Sequence, residues 1–310
     1  MDIVTITLNP AIDQTVFLDH LAVGKVNRTH RYHRQPGGKG INVSSMLGQY
    51  GIPSIATGFL GSENPRLFEE LFRNQKITDE FIRIPGETRT GIKLVDTASH
   101  ETTDINFPGL QPTFEEIRKF EKKLRSLVRP GRWFVLAGSL PAGFNLDFFE
   151  EILALIKNGG ALVAADTSGD ALKIAVKGGA DLVKPNEHEL AEMLGHELPD
   201  FPSRLAAARE LQATKVPHVI LSLGSEGALF LSPEKAVMAS APPVKVMSTV
   251  GAGDSILAGY LAGLVSDLPL GERARLATAF AWAALEDVSR TLPRRSELEP
   301  RLSSIQIQPL

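Results

Sequence analysis

The 310-residue chain contains no cysteine, which removes disulfides, thiolate metal sites and thiol nucleophiles and fits a reducing compartment. Aromatic residues are scarce, at 6%, and Trp133 and the phenylalanines read as core, not as a stacking platform for bases. A formal net charge of −3 supplies no broad basic field for nucleic acid, so any anionic ligand must be held by local positive groups. No stretch reaches the roughly 18 uncharged apolar residues that a membrane span needs. The opening "MDIVTITLNP" starts on a strand-like run and has neither the basic nor the long apolar region of a leader. Among the seven histidines no pair has ligand spacing and no Glu-x-x-His helix follows, so no zinc site is expected, and His33, His100 and His188 read as surface or lid residues. The expectation is a cytoplasmic protein without nucleic-acid or membrane partners.

What is present is ordinary globular material, 43% hydrophobic and 22% charged, long enough to bury a large core. Short β-branched or apolar runs recur at Ile3 to Leu8, Trp133 to Gly138, Ala161 to Asp166, "DLVKPN" and His218 to Gly224. Between them lie helix-period segments beginning at Phe114, Leu146 and Ser203. This alternation predicts an α/β fold with a mostly parallel central sheet covered on both faces, and no internal repeat. The strand runs end in Gly, Asn, Asp or Ser, placing small polar residues at the carboxyl edge where such sheets bind ligands. Two segments, about 15–35 and 89–108, alternate polar and apolar residues without a helix period. They predict antiparallel strands outside the main sheet, forming a small β lid on a single domain. The last fifteen residues read as a short helix and an edge strand or tail.

Two glycine-rich segments carry candidate chemistry. In "QPGGKGIN", Gln35 to Asn42, paired glycines and a lysine are suited to an anion, yet the Gly-Lys-Ser/Thr ending of a P-loop is missing. In "STVGAGDSILAGYLAGLV", Ser248 to Val265, Gly251, Ala252 and Gly253 lead into Asp254 and an apolar helix. Free backbone amides at that helix start would face an anion, with a carboxylate beside it. Asp254 reads equally as a first-turn acid serving stability, or as the acceptor of a proton from an attacking hydroxyl in phosphoryl transfer.

The order of motifs resembles the PfkB/ribokinase family of sugar kinases: "TLNPAID" (Thr7 to Asp13), "GGKGINV", "TR" with Lys93, "TDINFPG", "GSLP", "DTS", "KPNEHEL", "SLGSEGAL" and "STVGAGDS". Within it, NPAID and TDINFPG point to the fructose-1-phosphate branch. The resemblance spans nearly the whole chain and implies a ribokinase-like three-layer α/β/α fold. It also implies transfer of a phosphoryl group from ATP, with Mg²⁺, to the C6 hydroxyl of D-fructose 1-phosphate. Tagatose 6-phosphate or fructose 6-phosphate kinases of the same family, and a sugar-phosphate sensor without catalysis, are the alternatives. An oxidoreductase is excluded by the lack of Gly-x-Gly-x-x-Gly after the first strand.

Carried onto this chain, the resemblance makes Asp254 the general base and Gly251, Ala252 and Gly253 the anion hole. Asp13, otherwise a turn-forming residue, would accept sugar hydroxyls. Gly37, Gly38, Lys39 and Asn42 would sit at the sugar end, with Asn106 and Ser139. Arg89 and Lys93, otherwise protective charges on an edge strand, would face one side and neutralise the phosphate the substrate already carries. Gly91 departs from the branch, which usually has Asn there. On the nucleotide side stand Lys184, Asn186, Ser222, Leu223, Gly224, Glu226 and Gly227. Glu189 would act on magnesium through water, although Asn186 and Glu189 also have helix-capping spacing. Apolar surface near Ala279 to Ala283 is expected under adenine, and a homodimer through the lid is expected because strand lids expose edges.

Overall fold

The computed structural model describes residues 2–99, 101–141, 144–214 and 216–310, so His100 lies outside the described residues. The strands are β1 (Ile3–Thr7), β2 (Ala11–Leu18), β3 (Arg31–Gly37), β4 (Ser54–Gly61), β5 (Ile77–Asp79), β6 (Ile82–Ile84), β7 (Thr90–Asp96) and β8 (Thr102–Asn106). They continue with β9 (Trp133–Ala137), β10 (Leu162–Asp166), β11 (Leu182–Val183), β12 (His218–Ser222), β13 (Ala228–Leu231), β14 (Ala236–Ser240) and β15 (Gln306–Pro309). The helices are α1 (Lys39–Tyr50), α2 (Arg66–Asn74), α3 (Phe114–Leu127), α4 (Leu146–Asn158), α5 (Gly169–Lys177), α6 (Glu187–Leu194), α7 (Phe201–Ala213), α8 (Ala252–Val265), α9 (Leu270–Glu286) and α10 (Arg295–Ser304).

An 11-stranded sheet runs β15-β14-β13-β12-β11-β10-β9-β1-β4-β5, with β6 also paired to β4. From β5 to β12 its pairs are parallel, and the β13, β14 and β15 extension is antiparallel. The parallel strands are apolar throughout because both faces are covered, and β1 and β9 are buried at every residue. One face packs on α3, α4 and their neighbours through Phe120, Phe134, Phe149 and Ile152. The other packs on α1, α8 and α9 through Met46, Leu257, Tyr260 and Phe280. The result is three layers, and the central mostly parallel sheet is the one that the alternation of runs predicted. No described helix is long and apolar enough to cross a membrane.

Local chemistry sets the helix starts. Thr113 and Glu116 form a reciprocal capping box ahead of Phe114, and Asn145 caps α4 through the Phe148 amide. The helix expected from Ser203 begins at Phe201 instead, because Asp200 is the cap and accepts from the Ser203 amide at 2.9 Å.

A second, four-stranded sheet has the order β3-β2-β7-β8. Its strands begin at Ala11, four residues before the expected boundary, and one pairing differs from expectation: β2 and β7 run parallel. They are far apart in sequence, so no hairpin turn dictates their direction. The register lines up Gln35, Asp13, Gly91 and Asn106 in one row across all four strands. The outer surface of this sheet leaves Tyr32, Ile105 and Phe107 exposed.

Candidate active site

The two glycine-rich segments of the sequence meet in space. Gly38 precedes α1 with φ 120, a conformation open to glycine and costly for other residues. A side chain at Gly37 would place its Cβ 2.5 Å from the Asp13 carboxylate, and one at Gly38 would meet the Thr7 methyl at 2.6 Å. The glycines thus let β3 enter α1 while lying against Asp13 and the end of β1. Lys39 and Asn42 follow in the first turn of that helix. Asn42 joins the two segments directly: its Nδ2 donates to Asp254 Oδ2 at 2.6 Å.

Asp254 stands in the first turn of α8 behind Gly251, which has φ 81. Residues Ala258 to Gly263 of that helix are buried, so the apolar helix is anchored by α1 and α9 while its amide-bearing start faces the carboxyl edge of the sheet. Asp254 is only 5% exposed. Burial first, then the Asp166 carboxylate, push the Asp254 carboxyl above the ordinary carboxylate range, against the opposing pull of Asn42, Lys39 and Lys184. A carboxylate displaced upward in this way is suited to taking a proton near neutral pH.

Asp166, the last residue of β10, is the centre of the cluster. Lys39 Nζ lies 3.0 Å and Lys184 Nζ 3.3 Å from its Oδ1. Burial works to raise Asp166, but Lys184 and then Lys39 outweigh it and hold the carboxyl below its usual value. For Lys39, burial works to lower the ammonium, and Asp166 and Asp254 outweigh it and hold it raised. Two carboxylates and two ammonium groups are therefore gathered in one small volume. The expectations included the motif "DTS" but gave Asp166 no part; its position at the polar end of an apolar strand was the available signal.

On the second sheet, Asp13, Gly91 and Asn106 are neighbours: a Cβ at Gly91 would lie 3.5 Å from both the Asp13 and Asn106 side-chain oxygens. The small residue therefore leaves open space between two polar side chains. Asn9 Nδ2 donates to Ser139 Oγ at 3.3 Å across to the main sheet. Arg89 lies just before β7, with long contacts of 3.5 Å to the carbonyls of Asn9 and Phe107 and a buried Nε without a partner. Lys93, on the same face of the second sheet, is paired with Asp104 on β8 at 3.0 Å, a contact that uses one of its three ammonium donors.

On the other side, Asn186 caps α6 and Glu189 completes a reciprocal capping box, with its Oε2 accepting from the Asn186 amide at 2.9 Å. The capping reading of this pair is what the geometry displays. Asn186 is bridged to Ser222, and the turn Gly224–Glu226 follows β12, with Gly227 at φ 109. Leu223 is buried, so that residue offers only its backbone. Glu226 Oε1 accepts from Arg204 Nη1 at 2.8 Å. Lys184 Nζ would lie 3.1 Å from a Cβ at Gly253, which brings the nucleotide-side lysine to the start of α8. The expected adenine shelf is not open: Ala279 and Phe280 are fully buried in the core, as α9 packs on α8, and Ala281 and Ala283 nearly so. Val246 and Met247, beside the end of α9, are exposed apolar residues instead.

Comparison with known proteins adds three findings. The pfkB family carbohydrate kinase model matches residues 6–295. The chain is 40% identical to the 1-phosphofructokinase of Rhodobacter capsulatus, covering 99% of this chain and 98% of that one, and 43% identical to that of Xanthomonas campestris, covering 94% and 93%. Among solved structures, phosphofructokinase-2 of Escherichia coli superposes with a TM-score of 0.92 at 28% identity, covering 98% of this chain and 99% of that one. With a family model matched along nearly its whole length, relatives of this identity, and the motif order laid out on this fold, the chain belongs to the pfkB family of carbohydrate kinases.

Proposed function

We propose that the protein transfers the γ-phosphoryl group of ATP to the C6 hydroxyl of D-fructose 1-phosphate, giving fructose 1,6-bisphosphate and ADP. The observation that carries the chemistry is Asp254, a buried carboxylate with raised pKa in the first turn of a helix whose start has no side-chain cap. The choice of sugar is supported by the relatives named 1-phosphofructokinase, and Arg89, the cation beside the Asp13 row, suits a sugar that already carries a phosphate.

Asp13 holds sugar hydroxyls at the row Asp13, Gly91 and Asn106, and Arg89 meets the phosphate already on the substrate. Asp254 accepts the proton of the attacking hydroxyl as the bond to phosphorus forms. The amides of Gly251, Ala252 and Gly253, at the positive end of the α8 dipole, stabilise charge on the transferred group. Lys39 and Lys184 flank that position and are oriented by Asp166, which also helps to keep Lys39 charged. The second sheet acts as a lid that keeps water from Asp254 and so favours transfer to sugar over hydrolysis.

Magnesium fits this donor set. Among the described residues no three carboxylates or histidines form a cage, and magnesium carried on a nucleotide needs only one or two carboxylates. Asp166 Oδ2 is buried without a hydrogen-bond partner, and Glu189 stands close enough to act on Lys39. Glu189 would hold the ion through water, and the ion would neutralise charge on the phosphates. A second copy of the chain is the proposed partner of the exposed second sheet.

The test is an ADP-release assay with Mg-ATP against fructose 1-phosphate, fructose 6-phosphate, tagatose 6-phosphate and fructose, comparing kcat/KM. A preference of about a hundredfold or more for fructose 1-phosphate is expected. Preference for a 6-phosphate would move the phosphate pocket to the other end of the sugar, and no turnover with any of the four would overturn the kinase reading.

A further inference from the structure

Arg290 is a residue that none of the motifs singled out, yet it joins both halves of the site. It sits in the turn after α9 with φ 55, a left-handed conformation that is unfavourable for a non-glycine residue and persists only where its surroundings enforce it. The turn is braced from within: the Asp287 carboxylate accepts from the Ser289 amide at 2.9 Å and the Thr291 amide at 3.3 Å, and the Arg290 amide donates to the Asp287 carbonyl at 2.9 Å. It is also braced from outside, by Gln49 of α1, which donates to the Arg290 carbonyl and accepts from the Leu292 amide. The turn thereby directs a 7%-exposed side chain inward.

The guanidinium lies between elements of different origin. Nη2 is 3.5 Å from Asp13 Oδ2 and 3.4 Å from the Pro36 carbonyl, one residue before the paired glycines. The side chain also passes Gly251, where a Cβ would sit 2.6 Å from Arg290 Cδ and 3.4 Å from Nη1. Nη1 itself is buried without a partner. Gln35, in the same cross-strand row as Asp13, donates to the Val288 carbonyl of the same turn at 3.0 Å. One side chain therefore touches the acceptor carboxylate, the backbone that leads into Lys39, and the first residue of the anion hole.

We propose that Arg290 is a positioning residue for the sugar phosphate. It holds Asp13 and the Pro36–Gly37 backbone at a fixed distance from Gly251, so that the hydroxyl carried by Asp13 arrives in line with the phosphoryl group at α8. The long contacts to Asp13 and Pro36 shorten when substrate closes the site, as contacts around a reacting group commonly do. Gly251 is glycine for two reasons: its φ, and the volume that Arg290 occupies against it.

This inference rests on the reading of Asp13 as the sugar-hydroxyl acceptor, and the experiment separates the two. Steady-state kinetics with fructose 1-phosphate and ATP varied in turn, together with Tm, are measured for R290K, R290M, D13N and D13N/R290M. R290K, which reaches one acceptor where arginine reaches two, is expected to raise the sugar-phosphate KM about threefold. R290M is expected to raise it about tenfold, with the ATP KM within twofold of wild type. The double variant is expected to fall short of the product of the two single effects, since Arg290 acts in part through Asp13. Either single Arg290 variant decides if the other does not fold. A lowered Tm with the sugar-phosphate KM unchanged, equal rises in both KM values, or independent multiplication of the D13N and R290M effects would overturn the proposal. An unchanged KM in D13N would remove Asp13 from the sugar pocket, and the positioning role with it, whereas a raised KM in D13N with no change in either Arg290 variant would remove Arg290 alone.

Discussion

Replacing Asp254 by asparagine keeps the volume and removes the negative charge together with the capacity to take a proton. Asn42 already donates to Asp254 Oδ2, and the new amide can still present its oxygen there, so the contact between α1 and α8 survives. Loss of a positioned general base costs about 10²–10⁴ in rate, and each factor of ten is about 1.36 kcal/mol, so the barrier is expected to rise by roughly 3–5 kcal/mol. The amides at Gly251 to Gly253 remain, which leaves residual turnover and near-normal ATP affinity. The pH profile separates a base from a merely structural carboxylate. In the wild type, kcat/KM falls as pH is lowered through the folded pKa of Asp254, which burial and Asp166 hold above the ordinary carboxylate range; the variant lacks this limb. The stability linkage has its own sign. A carboxyl whose folded pKa is raised contributes stability below its unfolded pKa and loses it as pH rises through the folded pKa. Asparagine does not titrate, so the stability of the variant relative to wild type grows from acid to neutral pH. The measurements are coupled ADP release and denaturant unfolding across pH. A variant retaining kcat within tenfold with the acidic limb intact, or one that has lost ATP binding, would refute the role of Asp254 as base.

Gly37→Ala, whose Cβ would strike the Asp13 carboxylate at 2.5 Å, is expected to cost about 1–3 kcal/mol of stability by overpacking and to raise the sugar-phosphate KM tenfold or more, read by unfolding and kinetics together. Gly91→Ala is the contrasting case: its Cβ would make ordinary contacts at 3.5 Å, and the loss of unfolded-state freedom should stabilise the protein by about 0.4–1 kcal/mol, so a lowered Tm would show that the space beside Asp13 is not free. Tyr32→Asp places a charge on the exposed face of the second sheet, where Tyr32 is 63% exposed. If two copies pair through that face, light scattering after size exclusion will show a dimer for the wild type and a monomer for the variant.

The central sheet was legible because its apolar runs and helix periods are local patterns, and the cap at Asn186 is a four-residue signal. The GAGD segment was legible for the same reason: glycine, small residue, glycine and acid in a row state a helix start with free amides. What stayed hidden depends on partners far apart in sequence. The Asn42 to Asp254 bond spans 212 residues, and the parallel pairing of β2 with β7 sets Ile12 beside Thr90. The Lys93–Asp104 pair was not legible because a strand segment does not state its own register, and the register is what sets Asp104 opposite Lys93. Ala279 to Ala283 was read as a surface because small apolar residues are equally suited to a ligand shelf and to a close helix contact, and only the packing on α8 decides. Arg290 had no motif at all; its importance comes from a left-handed turn and from what that turn aims it at.

The connections of the second sheet to the rest of the molecule carry a mechanical consequence. The chain crosses between the two sheets at residues 8–10, at Gly38, at 85–89 and at 107–113. The Arg89 guanidinium, itself on one crossing, reaches carbonyls on two others, Asn9 and Phe107. Three of the four crossings are thus tied together at Arg89, like the fulcrum of a lever, while the loop carrying Val23 and Val26, 91% and 79% exposed, is the far end. In the proposed function, a tilt of the sheet would turn about the residues assigned to the sugar, so gripping the substrate and swinging the cover would be one movement, and a shift of a fraction of an ångström at the fulcrum would be magnified at the tip.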